Sequence, residues 1–172
     1  MPKRSHHTPR AHPRGCLTHR QSFPAPVYLF IFDLSKGLSR AFSKPLLGKF
    51  LRGIYHSSVV FRGREFYFGR EGVSESHPGC TYFEKPSKNI YLGLTDVTYN
   101  QFRDWLAARR ESDFKKGTYH LLTNNCNDFS NQCTLYLTNT LIPHEILFQS
   151  RRLLQSPNGP LLGLLINIFE RQ

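Results

Sequence analysis

The stretch YHSSVVFRGREFYFG, residues Tyr55–Gly69, determines the fold that this sequence predicts. It contains two runs rich in β-branched and aromatic residues, Tyr55–Phe61 and Glu65–Gly69, separated by the turn Arg62-Gly63-Arg64. Such runs on either side of a short glycine-containing turn are typical of a β-hairpin. We therefore predict an antiparallel hairpin with His56 at the start of a core strand.

Strands and helices are predicted on both sides of this hairpin. The apolar run Val27–Phe32 and the alternating run Asn89–Leu94 predict two more strands. A capping-box pattern, Thr98 with Gln101, precedes an amphipathic helix at Tyr99–Arg110. The other predictions are helical pieces over Leu38–Phe50 broken at Pro45 and Gly48, an irregular loop at Arg70–Lys88, a short strand or extended run at Tyr119–Leu122, a helix from about Cys126, and helices at Glu145–Leu154 and Leu161–Ile168. Because these elements do not alternate as βαβ units, the expected class is α+β.

The positive charge of the chain is unevenly distributed. The 172 residues carry a net charge of +11, and residues 1–26 hold five Lys or Arg and no acidic residue. This segment also contains five prolines and few large apolar side chains, so it cannot bury enough surface to offset its ordering entropy. We predict a disordered basic tail at residues 1–26 and one folded domain at residues 27–168.

Composition argues against several classes of function. The tail has Phe23 as its only aromatic residue and the chain has no recognisable reading module, which argues against nucleic-acid binding. No apolar run approaches about 18 residues, so no membrane span is expected. The tail resembles neither a secretory signal nor a transit peptide. The four cysteines, Cys16, Cys80, Cys126 and Cys133, are therefore expected to be reduced thiols in the cytosol or nucleus.

Cys126 is the strongest candidate for a chemical role. It follows the good N-cap residues Asn124 and Asn125, so its thiol is expected at the start of a helix. The helix dipole and the unpaired N–H groups there favour a thiolate and can hold an oxyanion. Local sequence leaves the alternative open that Cys126 is a small buried apolar residue.

His56 is the natural partner of Cys126, because a core strand holds the backbone of a general base in place. A hydrogen-bonded histidine at a strand end is the competing interpretation. His120 is a rival base, although an extended segment next to Cys126 would point its side chain away. A zinc site from His77, Cys80, Cys126 and Cys133 is disfavoured, because Cys126 and Cys133 lie about two helical turns apart, roughly 10 Å.

The order of several motifs resembles one known family. These motifs are Asp33-Leu34-Ser35-Lys36-Gly37-Leu38, Leu47-Gly48-Lys49, Gly53–Val60, Glu65–Gly69, Asn125–Asn131 and Ile142-Pro143. Together they resemble the desumoylating isopeptidase (DeSI, or PPPDE) family, in its DLSKGL-bearing branch, over about residues 27–166. Tyr55, Cys80 and His120 depart from the family pattern, and Tyr55 and Cys80 could alter the substrate groove.

The resemblance implies a permuted papain-like fold, in which a small antiparallel sheet packs with helices and the histidine strand precedes the cysteine helix. It implies that His56 and Cys126 form a catalytic dyad that needs no cofactor or metal. It further implies cleavage of bonds between SUMO and lysine in SUMO-conjugated proteins, by a homodimer of the cytoplasm and nucleus. S-acylated proteins are alternative substrates that the family resemblance also implies.

Two other functions remain open at this point. A thioesterase or lipid acyltransferase of the related permuted fold carries an Asn-Cys-Glu-His-Phe motif that partly matches Asn125–Phe129. A non-enzymatic nuclear export adaptor would use the series Leu161, Leu162, Leu165 and Ile168, whose spacing equally fits a packing helix.

Overall fold

The computed structural model describes residues 23–48, 52–83 and 85–160. The elements in chain order are β1 (Ala25–Asp33), α1 (Leu38–Leu47), β2 (Tyr55–Phe61), β3 (Arg64–Gly69), β4 (Gly72–Ser76), β5 (Lys88–Thr95), α2 (Tyr99–Arg110), α3 (Cys126–Thr138), α4 (His144–Leu147) and α5 (Gln149–Leu154). The basic tail up to residue 22 and the predicted helix Leu161–Ile168, with its export-like series, lie outside the described residues.

The five strands form one sheet in the order β4-β3-β2-β1-β5, and each neighbouring pair is antiparallel. The predicted hairpin is β2 with β3, in a register that pairs Val59 with Phe66. On its other side β2 pairs with β1, where Phe32 lies opposite His56. The α+β prediction is confirmed, and the histidine strand β2 lies inside the sheet and precedes the cysteine helix α3.

The hydrophobic core lies between the sheet and the long helices. Alternate residues of the central strands, Leu29, Val59 and Phe66 among them, are completely buried. Phe102 of α2 packs edge-on against Phe66, with ring centroids 5.0 Å apart. Phe129, one turn after the start of α3, packs against Phe114 at 5.1 Å and Phe68 at 6.1 Å. Burial of this aromatic cluster therefore joins α3 to the sheet.

Two helical predictions need correction. Leu38–Leu47 is one helix that runs through Pro45, because the proline lies in the last turn and removes a single hydrogen bond. The helix ends at Gly48, whose left-handed backbone (φ +67°) returns its N–H to the Lys44 carbonyl at 2.9 Å. The predicted helix Glu145–Leu154 is two short helices, α4 and α5, with a break at Phe148. Among the described helices, none is both long and apolar enough to cross a membrane.

Two extended segments also differ from prediction. The predicted loop Arg70–Lys88 contains the edge strand β4, whose sequence GVSES offers only Val73 as a large apolar residue and so lacks the usual strand pattern. Tyr119–Leu122 is not a strand: the chain enters a turn, in which His120 and Asn124 exchange two backbone hydrogen bonds of 2.9 Å. Strand β1 begins at Ala25, two residues before the predicted bound.

Replacement of Phe129 tests the role of the aromatic cluster. Phe129→Ala should lower the free energy of unfolding by about 3–5 kcal/mol, because it leaves a cavity between α3 and the sheet. Urea denaturation measures this loss. The matched control is Leu94→Ala, at a side chain 59% exposed on β5, which should change stability by about 0.5 kcal/mol or less. Equal losses in the two variants would contradict the core assignment of Phe129.

Candidate active site

Cys126 is the first residue of α3, as the capping pattern predicts. The side chain of the N-cap residue Asn125 accepts from the N–H groups of Asn127 at 2.8 Å and Asp128 at 3.4 Å. In return the Asp128 carboxylate accepts from the Asn125 N–H at 2.9 Å. This reciprocal capping box fixes the helix start, where Cys126 is buried, with 5% of its surface exposed.

His56 lies near the start of β2 in an aromatic environment. Its imidazole stacks on Phe83, with centroids 3.7 Å apart and an interplanar angle of 27°. Phe32 and Tyr67 contact the ring from other sides, at 5.8 and 6.3 Å. Its Nε2 atom is buried and has no hydrogen-bond partner among the described residues. Aromatic packing therefore orients this imidazole. In catalytic triads a third residue does so instead, through a hydrogen bond to the histidine.

Both predicted residues line one cavity of about 180 Å³. Leu34, Ile54 and Tyr82 also line it with exposed side chains, and so does the exposed Arg70, so the mouth of the cavity combines an apolar surface with a cation. Polar side chains line it as well, those of Tyr119, Asn127 and Gln149 among them. The cavity can admit a narrow group such as an extended chain end, whereas a folded domain must stay outside.

Burial controls the protonation of both residues. It raises the pKa of the Cys126 thiol to about 11, although hydrogen bonds from the Ser57 backbone and the Tyr119 side chain act in the opposite direction. Burial also lowers the pKa of the His56 imidazole to about 3. The expectation that the helix terminus favours a thiolate is therefore wrong for this state, because desolvation outweighs the dipole. Thiol and imidazole are both neutral near pH 7.

Two amide side chains hold the start of β2 against the helices. Gln149 of α5 accepts from the Tyr55 N–H at 2.9 Å and donates to the Tyr55 carbonyl at 2.5 Å. Asn127 donates to the same carbonyl at 3.3 Å and accepts from the Ser57 hydroxyl at 2.7 Å. Both neighbours of His56 are therefore tied to the elements that carry and support Cys126.

The segment that carries Phe83, residues 77–83, is anchored by a buried carboxylate. Glu65 of β3 is completely buried and accepts from the Ser58 hydroxyl at 2.6 Å and from the Gly79 N–H at 2.7 Å. Beyond it, Ser87 donates to the Ile31 carbonyl through its N–H at 2.7 Å and its hydroxyl at 2.9 Å. These bonds hold the chain on both sides of Phe83, which keeps the ring over His56.

Other candidates from the sequence lie elsewhere. His120 belongs to the turn before α3, where its Nδ1 accepts from the Leu122 N–H at 3.3 Å, and it does not line the cavity. Cys80 is exposed, and its N–H donates to the His77 carbonyl at 3.0 Å. Cys133 is buried in the core, and burial raises its pKa well above the usual range. Tyr55 lines the cavity, whereas Cys80 does not.

The described part of the chain brings together no group of three or more His, Cys, Asp or Glu side chains that could hold a metal ion. Cys80, Cys126 and Cys133 are free cysteines. Three further site residues, Phe83, Tyr119 and Gln149, were not predicted. Tyr119 lies only seven residues before Cys126, but its contact requires the intervening turn. The roles of Phe83 and Gln149 depend on long-range packing that no local pattern reveals.

Comparison with known proteins gives one consistent result. A family model described as "PPPDE putative peptidase domain" matches residues 25–163. Desumoylating isopeptidase 1 from Xenopus laevis is 38% identical over 159 residues, covering 87% of this chain and 94% of the relative. Desumoylating isopeptidase 1 from Homo sapiens is 40% identical over 147 residues, covering 86% and 88%. A DeSI-like protein from Arabidopsis thaliana is 31% identical over 124 residues, covering 69% and 52%.

The protonation state of Cys126 can be measured by alkylation. A thiol loses its proton above its pKa, so with a pKa of about 11 the reactive thiolate should increase about tenfold per pH unit below that value. We expect the rate of Cys126 alkylation by iodoacetamide to rise continuously from about pH 6 to about pH 9. Peptide mass spectrometry follows the modified residue, and Cys126→Ser gives the background. A plateau below about pH 7 would instead indicate a preformed thiolate–imidazolium pair.

The Gln149 clamp has a testable effect on catalysis. Gln149→Leu removes both hydrogen bonds to Tyr55 and should lower turnover on the order of 10²-fold, because a small displacement of β2 misplaces His56. The control is Gln155→Leu, an exposed glutamine at the end of α5, which should retain the wild-type rate. Matching rates in the two variants would show that the clamp does not position His56.

Proposed function

This chain belongs to the PPPDE peptidase family, and from that membership we propose that it is a cysteine isopeptidase that hydrolyses the bond between SUMO and a lysine side chain. The observation that supports this most directly is the shared cavity. It is lined by a histidine from a central strand and a cysteine from a helix N-terminus, which is the pairing that acyl transfer through a thiol requires.

The first step transfers a proton and forms an acyl-enzyme. The His56 imidazole accepts the proton of the Cys126 thiol as the sulfur attacks the carbonyl carbon of the isopeptide bond. A C–S bond forms, and the carbonyl π electrons move to the oxygen. The N–H of Cys126 at the start of α3 then donates to this oxyanion. The C–N bond breaks as the π bond re-forms, and His56 protonates the lysine amine that leaves.

The second step regenerates the thiol. A water molecule gives a proton to His56 and attacks the thioester carbonyl, and a second oxyanion forms at the same place. When the C–S bond breaks, the carboxylic acid leaves and Cys126 recovers its proton from His56. A pair that is neutral at rest suits this cycle, because His56 starts each step able to accept a proton.

SUMO conjugates are the favoured substrates because the relatives from Xenopus laevis and Homo sapiens, which cover 87% and 86% of this chain, are named desumoylating isopeptidases. The narrow cavity is compatible with this class, since the C-terminal end of a ubiquitin-like protein is an extended chain. Hydrolysis of a thioester in an S-acylated protein uses the same chemistry, and the apolar part of the mouth, formed by Leu34, Ile54 and Tyr82, supports it as a second candidate.

The proposal extends to assembly and location, as the family resemblance implies. We propose a homodimer that acts in the cytoplasm and nucleus. Sedimentation of the purified chain reports the oligomeric state, and imaging of the tagged full chain reports its distribution. A monomer at micromolar concentration or exclusion from both compartments would refute the corresponding part.

Substitution of the two site residues tests the dyad. Cys126→Ala should abolish cleavage of SUMO–lysine conjugates, because Cys126 supplies the only thiol among the described residues that line the cavity. His56→Gln should reduce the rate about 10²–10⁴-fold, the usual loss when a general base is removed. The control Cys80→Ser changes an exposed thiol outside the cavity and should retain activity. Cleavage by Cys126→Ala at the wild-type rate would rule out this mechanism.

The preference of Cys126 for SUMO over ubiquitin or a fatty-acyl group is tested by comparing electrophilic probes of each kind. We expect SUMO with a C-terminal electrophile to label Cys126 faster than matched ubiquitin and fatty-acyl probes. Gel shift and mass spectrometry measure the rates, with Cys126→Ala as the control for other thiols. Faster labelling by the fatty-acyl probe would favour the thioesterase alternative and refute the proposed substrate class.

A further inference from the structure

The start of α3 offers few free donors for an oxyanion. The capping side chain of Asn125 already accepts from the N–H groups of Asn127 and Asp128. The N–H of Phe129 donates to the Asn125 carbonyl at 3.1 Å. The amide that remains in the first turn is that of Cys126, which contacts its own sulfur. The helix terminus therefore contributes one backbone donor that the cap does not use, and the Asn127 and Ser57 amides also contact the sulfur.

Loss of a single donor from an oxyanion site typically costs about 10²–10³ in rate, so a side-chain donor beside these amides would have a measurable effect. The amide side chains around the cavity have other partners. Asn127 and Gln149 both donate to the Tyr55 carbonyl, and Asn125 donates to the Leu121 carbonyl at 3.1 Å. Reorienting any of them would release the strand or turn that it holds.

The Tyr119 hydroxyl is a side-chain donor at the sulfur itself. Tyr119 lines the cavity with His56 and Cys126, and its side chain hydrogen-bonds Cys126. Its ring packs on the completely buried Phe68, with centroids 5.3 Å apart. The turn after it, closed by the pair His120–Asn124, leads directly into α3. Ring packing and a short turn thus hold the hydroxyl in place before a substrate binds.

We propose that Tyr119 is a third catalytic residue, whose hydroxyl donates a hydrogen bond to the oxyanion that forms when Cys126 attacks a carbonyl group. The inference rests on the nucleophile role proposed above for Cys126. The carbonyl oxygen is bonded to the carbon that the sulfur attacks, so a donor in contact with the sulfur lies within reach of that oxygen. Tyr119 keeps its proton throughout: its hydrogen bond strengthens as charge moves from sulfur to oxygen and weakens as the C=O bond re-forms.

Two reactions of the Cys126 thiol distinguish stabilisation of the oxyanion by Tyr119 from an effect of Tyr119 on the reactivity of the sulfur. Acetylation by p-nitrophenyl acetate passes through a tetrahedral oxyanion and expels p-nitrophenolate. Alkylation by iodoacetamide forms a C–S bond at a saturated carbon and expels iodide, with no oxyanion. Mass spectrometry measures both rates at Cys126. In Tyr119→Phe, which keeps the ring against Phe68, the ratio of acetylation to alkylation should fall on the order of 100-fold.

Two variants serve as controls. Tyr136→Phe removes a hydroxyl from the far end of α3, where it lies 3.5 Å from the Gln101 carbonyl, and should leave the ratio unchanged. Gln149→Leu displaces β2 but keeps the Tyr119 hydroxyl, so its ratio of acetylation to alkylation should fall less than that of Tyr119→Phe. Circular dichroism verifies that each variant is folded.

The outcomes distinguish this inference from the proposed function. If both rates in Tyr119→Phe fall equally, or neither falls, Tyr119 is no oxyanion donor and the inference is overturned. If Tyr119→Phe shows the 100-fold fall in the ratio but the wild-type protein cleaves no SUMO conjugate, the substrate assignment is wrong and the inference stands. If wild-type Cys126 reacts with neither reagent, the nucleophile assignment fails, and this inference fails with it.

Discussion

The hydrogen bond from the Ser57 hydroxyl to the Asn127 side chain, 2.7 Å long, fixes the histidine strand against the cysteine helix. Each partner is adjacent in sequence to one member of the pair, His56 or Cys126, so this bond sets their separation. Both groups are buried, which means that water cannot replace the lost partner and that breaking the bond is costly. The second contact of Asn127, to the Tyr55 carbonyl, prevents β2 from pivoting about Ser57.

Two opposing effects act on the Cys126 thiol, and their magnitudes decide its resting state. A helix terminus stabilises a nearby charge by about 0.3–1 kcal/mol. A pKa raised from the ordinary 9.0 to about 11 corresponds to about 3 kcal/mol against the thiolate. Burial of Cys126 therefore keeps the thiol protonated, and the donors around the sulfur act mainly on charge that appears during the reaction.

How far the sequence predicts this molecule depends on the range of each interaction. The hairpin, the central strands, α2 and the capped start of α3 were predictable because periodicity and capping are local. The edge strand β4 was not, since its one large apolar residue, Val73, leaves no alternation to detect. His56 and Cys126 were recognised through ordered motifs, whereas Tyr119 and Gln149 were missed because a turn or a separate helix brings them to the site. Helix-start electrostatics gave the wrong protonation state, since burial cannot be read from neighbouring residues.

The aromatic setting of His56 has a consequence for the two halves of the reaction. Stacking on Phe83 orients the ring, but it supplies no negative charge to stabilise an imidazolium, and Nε2 has no acceptor within the described part of the chain. An imidazole with a pKa lowered to about 3 is a weak base and, once protonated, a strong acid. Proton donation from His56 to the leaving amine is then favourable, whereas removal of the thiol proton by His56 during attack has the higher free-energy cost. The donors that converge on the sulfur, from the Ser57 backbone and the Tyr119 side chain, stabilise negative charge in the half of the cycle where His56 contributes least.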